Sequence, residues 1–398
     1  MTAEEAADAL DVTRNTLYAY VSRGLVRSEP TDASRRTRRY RADDVRRLKR
    51  KKKLQQDPST AARTALDWGL PVTESALTLI ENGAFYYRGR DACTLARTHT
   101  LEEVAPILWD TSSAIDVAAV APPVDPRPAS GDPDLSPLDR AQTLLPRAAA
   151  LDDRAYDASK DRLARTGTRI LALLARLVGP VDGPIGSGPI AEHLRRAWTV
   201  DAPGARSLLN STLVLCADHG LNVTAFTVRC VASAEATPYG AVNAGLSALR
   251  GRRHTGNTAR IAAFLREAGD PSNVRQTVVE RLRRGDRVPG FGHPLYPDGD
   301  PRATMLMDDL EDRVPETRGT AFAAAAREVG PELLDRRPAL DFALVVLAEA
   351  LTLPAHAPLS LFALGRTVGW TGHMIEQYEQ EDVIRPRAQY VGPTPSTG

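Results

Sequence analysis

Apolar residues recur at helical spacing along most of the chain. The clearest run has its apolar face at Leu163, Ile170, Leu171, Leu174 and Leu177. Further apolar helices are predicted over Ser207–Ala217, Thr224–Ala234 and Asp341–Leu351. Strand-like alternation is scarce and no internal repeat is evident. The pattern therefore predicts a mostly α protein, with an exposed loop rich in proline and aspartate over Ala121–Pro137.

The first 53 residues follow a pattern of their own. Thr2–Leu10 is predicted to form a short helix, and Thr13 is predicted to cap a second one. A basic, hairpin-like segment over Ser34–Tyr40 then precedes a third, basic helix over Asp43–Lys53. Helix, turn, helix and basic wing in this order indicate a DNA-binding module.

Charge is divided unevenly along the chain. The formal net charge is +1, but residues 1–56 carry 15 Lys and Arg against 8 Asp and Glu, a net charge of +7, so the remainder carries −6. A basic end indicates a polyanionic partner, here double-stranded DNA. Arg14, Asn15 and Tyr18 are predicted to face the major groove. Phosphate contacts are predicted for Arg35, Arg36, Arg38 and Arg39. A protein partner for this module is the alternative.

Composition narrows the class of protein. The 398 residues, 42% hydrophobic and 25% charged, suit a soluble protein of two or three domains. No apolar stretch reaches the roughly 18 residues of a membrane helix, and the N-terminus lacks a signal-peptide pattern. Cys93, Cys216 and Cys230 fit neither a disulfide framework nor zinc-ligand spacing. Buried free thiols in a cytoplasmic protein are the expectation.

The segment Pro289–Tyr296, read as PGFGHPLY, carries the most chemistry. Its glycines allow a close approach to a ligand, and its histidine, His293, can donate or accept a proton near neutral pH. Asp300-Pro301-Arg302 follows, and an arginine can bind a carboxylate with two parallel hydrogen bonds. The segment could therefore bind a small carboxylate with a carbonyl to polarise. Taken alone, it is also compatible with an ordinary loop.

Further motifs occur in a fixed order: ADHGLN at 217–222, RHTGN at 253–257, ALDF at 339–342, RTVGW at 366–370 and RPR at 385–387. With GFGH and DPR, this set resembles the citrate synthase family, from about Gly69 to Pro393. The front end is similar to MerR-type winged helix-turn-helix modules.

The resemblance implies a domain plan. Its parts are a helix-turn-helix domain (1–53), a linker (54–68), a large helical domain (69–255 with 353–393) and a small domain (256–352). The family's active site lies in the cleft between the large and the small domain, and the family is dimeric.

The resemblance also implies a reaction, the condensation of an acyl-CoA with oxaloacetate followed by thioester hydrolysis. Asp341 would be the base, His254 the donor to the thioester oxygen and His293 the group that polarises the ketone. Oxaloacetate would be held by His219, Arg302, Arg366 and Arg385, the last reaching in from the other subunit of a homodimer. CoA would contact Val288, Gly290, Gly292 and Arg253. Considered without the resemblance, Asp341 is predicted to be a helix N-cap.

No cofactor beyond the CoA thioester substrate is expected, and no metal site is suggested. The sequence does not distinguish acetyl-CoA from propionyl-CoA, because one methylene contributes only about 1–3 kcal/mol in a pocket.

The chain departs from many bacterial members of the family at three positions. Pro294 and Pro297 stand where basic residues commonly meet the CoA phosphates, and Thr255 replaces a glycine beside His254. Arg250, Arg252 and Arg253 are candidates to replace the missing charge. These departures keep two alternatives open. One is a DNA-binding regulator whose synthase-like body senses a carboxylate or an acyl-CoA. The other is a related carbon–carbon bond-forming enzyme that acts on a different 2-oxo acid.

Overall fold

The computed structural model describes residues 1–10, 12–22, 26–30, 38–41, 44–45, 73–112, 115–127, 135–181, 188–251, 256–380, 382–386, 388 and 390–393. The chain divides into two compact units. One comprises Met1–Glu74 and Pro386–Gly398, and the other comprises Ser75–Arg385.

The first unit contains the predicted helix pair and wing. Helix α1 spans Ala3–Leu10 and α2 spans Arg14–Ser22. Strand β1 (Ser28–Pro30) pairs antiparallel with β2 (Arg38–Tyr40). The predicted third helix is described only at Asp44 and Val45, which are helical, and the predicted linker lies outside the described residues.

Local hydrogen bonds explain where these elements begin. The Thr2 hydroxyl accepts from the Glu5 amide and the Glu5 carboxylate accepts from the Thr2 amide, a reciprocal cap for α1. The Thr13 hydroxyl accepts from the Thr16 amide at 3.3 Å, which confirms Thr13 as the cap of α2. A small apolar core then joins the elements: Ala6, Ala7, Leu10, Leu17, Val26, Tyr40 and Val45.

The second unit begins with a small meander. Strands β3 (Thr78–Glu81), β4 (Ala84–Tyr87) and β5 (Arg90–Asp91) form an antiparallel sheet in that order. The helices between this sheet and His219 are α3 (Ala92–Thr98), α4 (Leu101–Trp109), α5 (Pro137–Leu151), α6 (Lys160–Val178), α7 (Ile190–Ala197) and α8 (Ala205–Cys216).

The remaining elements are also helical. They are α9 (Val223–Ala232), α10 (Pro238–Leu249), α11 (Gly256–Ala268), a 3-10 turn (Pro271–Asn273), α12 (Val274–Arg284), α13 (Pro301–Arg313), α14 (Arg318–Leu334), α15 (Leu340–Ala350) and α16 (Ala357–Tyr378). The prediction of a mostly α protein is confirmed, and helices α8, α9 and α15 lie within two residues of their predicted bounds. Helix α6 contains the predicted apolar run and ends directly before Gly179. The division into a large and a small domain stays a prediction.

Two glycines set the crossing of α8 and α16. A Cβ added at Gly365 would clash with the Leu213 carbonyl, and one added at Gly369 would clash with the Ala217 carbonyl. The Gly369 amide donates to that Ala217 carbonyl at 3.0 Å. The two backbones therefore touch, and Arg366, which lies between the glycines in sequence, sits against the end of α8.

The core of this unit is continuous from the sheet to α16 and includes the large side chains of Trp109, Phe342 and Trp370. Cys216 is buried, Cys93 and Cys230 are half-buried, and all three are free thiols. Burial raises the pKa of Cys216 to about 12, which keeps that thiol neutral. In the described part of the chain, no helix has both the length and the hydropathy needed to cross a bilayer.

Candidate active site

The glycine-rich turn around His293 is fixed to the segment that leads into α15. The Ala339 amide donates to the Gly290 carbonyl and the Gly292 amide donates to the Arg337 carbonyl, each at 2.8 Å. Gly290 and Gly292 have positive φ angles of 88° and 79°, which favour glycine. The turn that carries His293 is therefore held beside the start of the helix that carries Asp341.

The carboxylate of Asp300 links the start of α13 to the start of α15. Its carboxylate caps α13 and accepts from the Arg302 amide at 3.1 Å. It also accepts from Nε and Nη2 of the Arg302 guanidinium, at 2.9 and 2.8 Å. The Leu340 amide, at the start of α15, donates to it at 3.1 Å. Burial acts to raise the pKa of Asp300, but the Arg302 guanidinium holds that pKa below its usual value.

Asp341 is the second residue of α15, and the N-cap position belongs to Ala339. The prediction that Asp341 is an N-cap was therefore wrong by two residues, because the preceding Pro338-Ala339 segment stays extended to pair with the turn. Asn257 Nδ2 donates to Asp341 Oδ2 at 2.6 Å. Burial raises the pKa of Asp341, as expected for a carboxylate that accepts protons readily.

His219 lies in the loop that follows α8, and its ring meets that of His293. The two ring centres are 5.2 Å apart and the planes are perpendicular. His219 Nε2 hydrogen-bonds the Tyr296 hydroxyl at 2.8 Å, and His293 Nδ1 accepts from the Leu295 amide at 3.2 Å. The Arg302 guanidinium carbon lies 5.6 Å from the centre of the Tyr296 ring.

Both histidines are neutral at pH 7. Burial, reinforced by the positive charge of Arg302, lowers the pKa of His293 to about 4. Burial, together with Arg302, Arg366 and His293, holds the pKa of His219 well below its usual value. Each ring can therefore offer an N–H donor without carrying a charge.

Arg366 is 1% exposed and donates from Nε to the Cys216 carbonyl at 2.8 Å. Its Nη1 is buried and has no hydrogen-bond partner among the described residues. Burial lowers the pKa of Arg366, so holding its charge there is costly. An unpaired guanidinium nitrogen in such a place suits an anionic ligand.

Two buried side chains, Asp218 and His373, support the loop that carries His219. Asp218 Oδ1 and His373 Nε2 are 3.2 Å apart, and both side chains are fully buried. The Thr78 hydroxyl and the Gly220 amide also donate to Asp218. These contacts fix the loop on which His219 stands.

Four other residues of the predicted active site are exposed, half-buried or outside the described residues. Arg385 is exposed, and Val288 is half-buried at the entry to the turn. His254 and Arg253 lie outside the described residues.

In the first unit, Arg14 is exposed and pairs with Glu4 at 3.2 Å, and Tyr18 is half exposed. Arg38 and Arg39 are exposed on β2, whereas Arg35 and Arg36 lie outside the described residues. Asn15 lies on α2, but its side chain is not described.

The candidate basic groups for CoA differ in whether their charge is already paired. Arg250 hydrogen-bonds Gln142 and forms an ion pair with Asp139, so its charge is already compensated. Arg336 and Arg337 are exposed on the segment paired with the turn. A Cβ added at Gly292 would lie 2.9 Å from Arg336 Cδ, and one added at Gly299 would lie 2.7 Å from Arg337 Cδ.

Sequence reasoning gave no role to Asn257, Tyr296 or Asp300. Only Asp300 had a local signal, because Asp-Pro marks an N-cap followed by the first residue of a helix. Within the described residues, no group of three or more His, Cys, Asp or Glu side chains could hold a metal ion.

The arrangement therefore combines two neutral imidazole donors, two buried guanidinium groups and one carboxylate whose pKa is raised. Such a set can bind an anion that carries a carbonyl, and can remove a proton from a carbon acid beside it.

Comparison with known proteins agrees with this chemistry. Residues 65–387 match the family model for the citrate synthase C-terminal domain, and residues 1–61 match that of the MerR HTH family of regulatory proteins. The citrate synthase of Haloferax volcanii is 28% identical over 81% of this chain and 94% of its own length. A 2-methylcitrate synthase of Mycobacterium tuberculosis is 27% identical over 81% of this chain and 89% of its own length.

Solved structures show the same fold. A citrate synthase of Thermoplasma acidophilum, in a ternary complex with carboxymethyl coenzyme A and oxaloacetate, aligns with a TM-score of 0.68 at 22% identity, over 83% of this chain and 96% of that one. The citrate synthase of Pyrobaculum aerophilum aligns with a TM-score of 0.69 at 23% identity, over 81% of this chain and 91% of that one. Because the family match covers most of its length, the chain belongs to the citrate synthase family of enzymes, with a MerR-type helix-turn-helix sequence at its N-terminus.

Proposed function

We propose that the protein condenses acetyl-CoA or propionyl-CoA with oxaloacetate, giving citrate or 2-methylcitrate and free CoA. The observation that carries the proposal is that the His219 ring contacts the His293 ring while the charges of the buried Arg302 and Arg366 act on it, beside the turn that is bound to the start of the Asp341 helix. Membership of the citrate synthase family and the similarity to citrate and 2-methylcitrate synthases support it.

In this proposal Asp341 takes a proton from the carbon next to the thioester carbonyl. The enolate formed there attacks the ketone carbon of oxaloacetate, whose oxygen His293 polarises and then protonates. His254 stabilises the enolate oxygen. Water then hydrolyses the thioester, which releases the CoA thiol and the product carboxylate.

Oxaloacetate would be held by His219, Arg302 and Arg366, with Arg385 arriving from a second copy of the chain. Two N–H groups of Arg302 are already bound by Asp300, so its remaining N–H groups would face the substrate. Arg366 would use the Nη1 that no described residue binds.

The alternative, a regulator that senses a carboxylate or acyl-CoA, requires the binding groups but no base. The pKa of Asp341, which burial raises although the Asn257 amide that holds the carboxylate in place acts to lower it, favours the enzyme, since a ligand sensor has no use for a carboxylate tuned to accept a proton. The deciding assay measures release of free CoA thiol from acetyl-CoA and from propionyl-CoA, with and without oxaloacetate. Binding of oxaloacetate without any thiol release would favour the sensor.

Arg336 and Arg337 are the residues proposed to contact the CoA phosphates, in place of the basic positions occupied by Pro294 and Pro297. They flank the same turn and are exposed. Replacing both with alanine is expected to raise the KM for the acyl-CoA roughly tenfold, since charge-assisted contacts to phosphate are lost. The KM for oxaloacetate should change less than twofold.

Steady-state kinetics at two salt concentrations test this assignment. Arg275→Ala is the matched control, because that exposed arginine is already paired with Glu332. An unchanged KM for the acyl-CoA in the double variant would place the phosphate contacts elsewhere.

The N-terminal module is proposed to bind double-stranded DNA. Its support is the match to the MerR HTH family, the net charge of +7 and the exposed arginines of β2. Replacing Arg35, Arg36, Arg38 and Arg39 with alanine should weaken binding to all sequences. It should also flatten the slope of log affinity against log salt by roughly four, about 0.9 per phosphate contact.

Replacing Arg14 and Asn15 should instead erode the preference for one sequence. Fluorescence anisotropy with DNA from upstream of the protein's own gene and with random DNA, at several salt concentrations, measures both effects. Absence of binding even at low salt would direct the search to a protein partner.

A further inference from the structure

Tyr296 is a buried residue of the His293 turn to which the proposed reaction gives no part. We infer that Tyr296 is a positioning residue: its hydroxyl donates to Nε2 of His219, which places the imidazole proton on Nδ1 and makes His219 an N–H donor to the bound substrate. The identity of that substrate rests on the proposed function, whereas the protonation pattern of the ring does not.

The direction of the hydrogen bond follows from satisfying every buried group. The Tyr296 hydroxyl and His219 Nε2 are 2.8 Å apart, and the tyrosine is 1% exposed. Among the described residues, His219 is the hydrogen-bond partner of this hydroxyl. If Nε2 carried the proton and donated, the buried hydroxyl proton would have no acceptor, which buried polar groups avoid. The hydroxyl therefore donates, and Nε2 accepts.

The surrounding charges keep the imidazole of His219 neutral. The guanidinium of Arg302 lies over the Tyr296 ring, and both Arg302 and Arg366 act on His219. Two buried cations disfavour a third, so the imidazole stays neutral and only one ring nitrogen can hold a proton. Burial raises the pKa of the Tyr296 hydroxyl, which keeps its proton available for donation.

The position of the proton on the His293 ring is also set by a hydrogen-bond donor, here a backbone amide. Its Nδ1 accepts from the Leu295 amide at 3.2 Å, so the proton of the neutral ring is on Nε2. In both rings, one nitrogen is occupied by a donor from the turn and the other carries the proton. With the opposite tautomer, His219 would turn a lone pair toward the carboxylate it is proposed to bind.

Tyr296→Phe is the test, because phenylalanine keeps the ring beside Arg302 and removes only the hydroxyl. The protein has seven histidines, so selective ¹⁵N labelling gives a readable spectrum, and His219→Gln identifies the His219 signals. In the ligand-free wild-type protein, Nδ1 of His219 should be protonated and Nε2 should be of the unprotonated, pyridine type. In Tyr296→Phe, a signal for protonated Nε2 should appear.

The Kd for oxaloacetate, measured by calorimetry, should rise roughly tenfold or more in Tyr296→Phe, as expected for a weakened hydrogen bond to a charged group. Tyr239→Phe is the matched control. It also removes the hydroxyl of a fully buried tyrosine, but one bonded to Asp152. The control should leave both the His219 tautomer and the Kd unchanged.

Protonated Nε2 in the wild-type protein would overturn the inference, as would an unchanged tautomer in Tyr296→Phe. A tautomer that shifts as expected in a protein that releases no CoA thiol would instead count against the proposed reaction and leave the role of Tyr296 standing. The two failures are therefore separable.

Discussion

Replacing Asp341 with asparagine is expected to lower kcat for the condensation by roughly 100- to 10,000-fold, the range typical for loss of a general base. The Kd for oxaloacetate should change less than threefold. The asparagine side chain keeps the shape, and its carbonyl oxygen can still accept the hydrogen bond from Asn257. Single-turnover kinetics and calorimetry on the same preparation measure the two quantities.

The control for this variant is Glu349→Gln, which changes a carboxylate near the other end of α15, where it pairs with Arg318 on the surface. Its kcat should match that of the wild type. An Asp341→Asn variant that keeps more than about a tenth of the wild-type kcat would remove Asp341 from the role of base.

The pH profile adds a second readout of the same residue. Because the pKa of Asp341 is raised, its protonated, inactive form accumulates as the pH falls through that raised value, and kcat/KM should fall with it. Neither His219 nor His293 should contribute an inflection near 6.5, since both are already neutral there.

Replacing Arg366 with methionine is expected to raise the Kd for oxaloacetate by roughly 30-fold or more, because a buried charge that pairs with a ligand typically contributes about 2–5 kcal/mol. The free energy of unfolding of the ligand-free protein should change by no more than about 1 kcal/mol. The variant loses the bond to the Cys216 carbonyl, but it also removes a charge whose Nη1 has no described partner.

Arg229→Met is the matched control for Arg366→Met, since Arg229 is equally buried but forms an ion pair with Glu376 and a hydrogen bond to Gln377. That change should cost about 1–3 kcal/mol of unfolding free energy, because the buried Gln377 Oε1 loses its donor and Glu376 keeps, among the described residues, only the Ala76 amide and the more distant Arg88 as partners. Oxaloacetate should still bind the folded fraction. The opposite ranking of the two variants, with Arg366→Met the less stable, would make Arg366 a structural residue.

Denaturant unfolding with and without oxaloacetate gives both quantities, because a ligand that binds only the folded state raises the free energy of unfolding by an amount that grows with the logarithm of ligand concentration over Kd. Arg302 is a poorer choice for this test. Its removal would leave Asp300 buried without its guanidinium partner, so stability and binding would fall together.

The helices could be predicted from the sequence because their signals are local. The apolar face of α6 and the Thr13 cap of α2 depend on residues within a few positions of one another. The order of the motifs then pointed to the family, which the comparisons confirm.

The supporting contacts of the site could not be predicted in the same way. Asn257 meets Asp341 across 84 positions, Tyr296 meets His219 across 77, and Leu340 meets Asp300 across 40. Each depends on how distant helices pack, and residue type alone does not reveal it. The N-cap prediction for Asp341 was wrong for the same reason, since the pairing of Pro338 with Phe291 shifts the start of α15.

Gly365 and Gly369 bring the backbones of α8 and α16 into contact, and this contact fixes the distance between the two helices beside Arg366. Helices separated by side chains can adjust their spacing when those side chains change. Here there is no side chain to shorten, and any larger residue would force the helices apart. The position of Arg366 relative to the His219 loop is thus set by two carbonyl oxygens. A larger residue at either glycine is therefore expected to move Arg366 relative to the His219 loop.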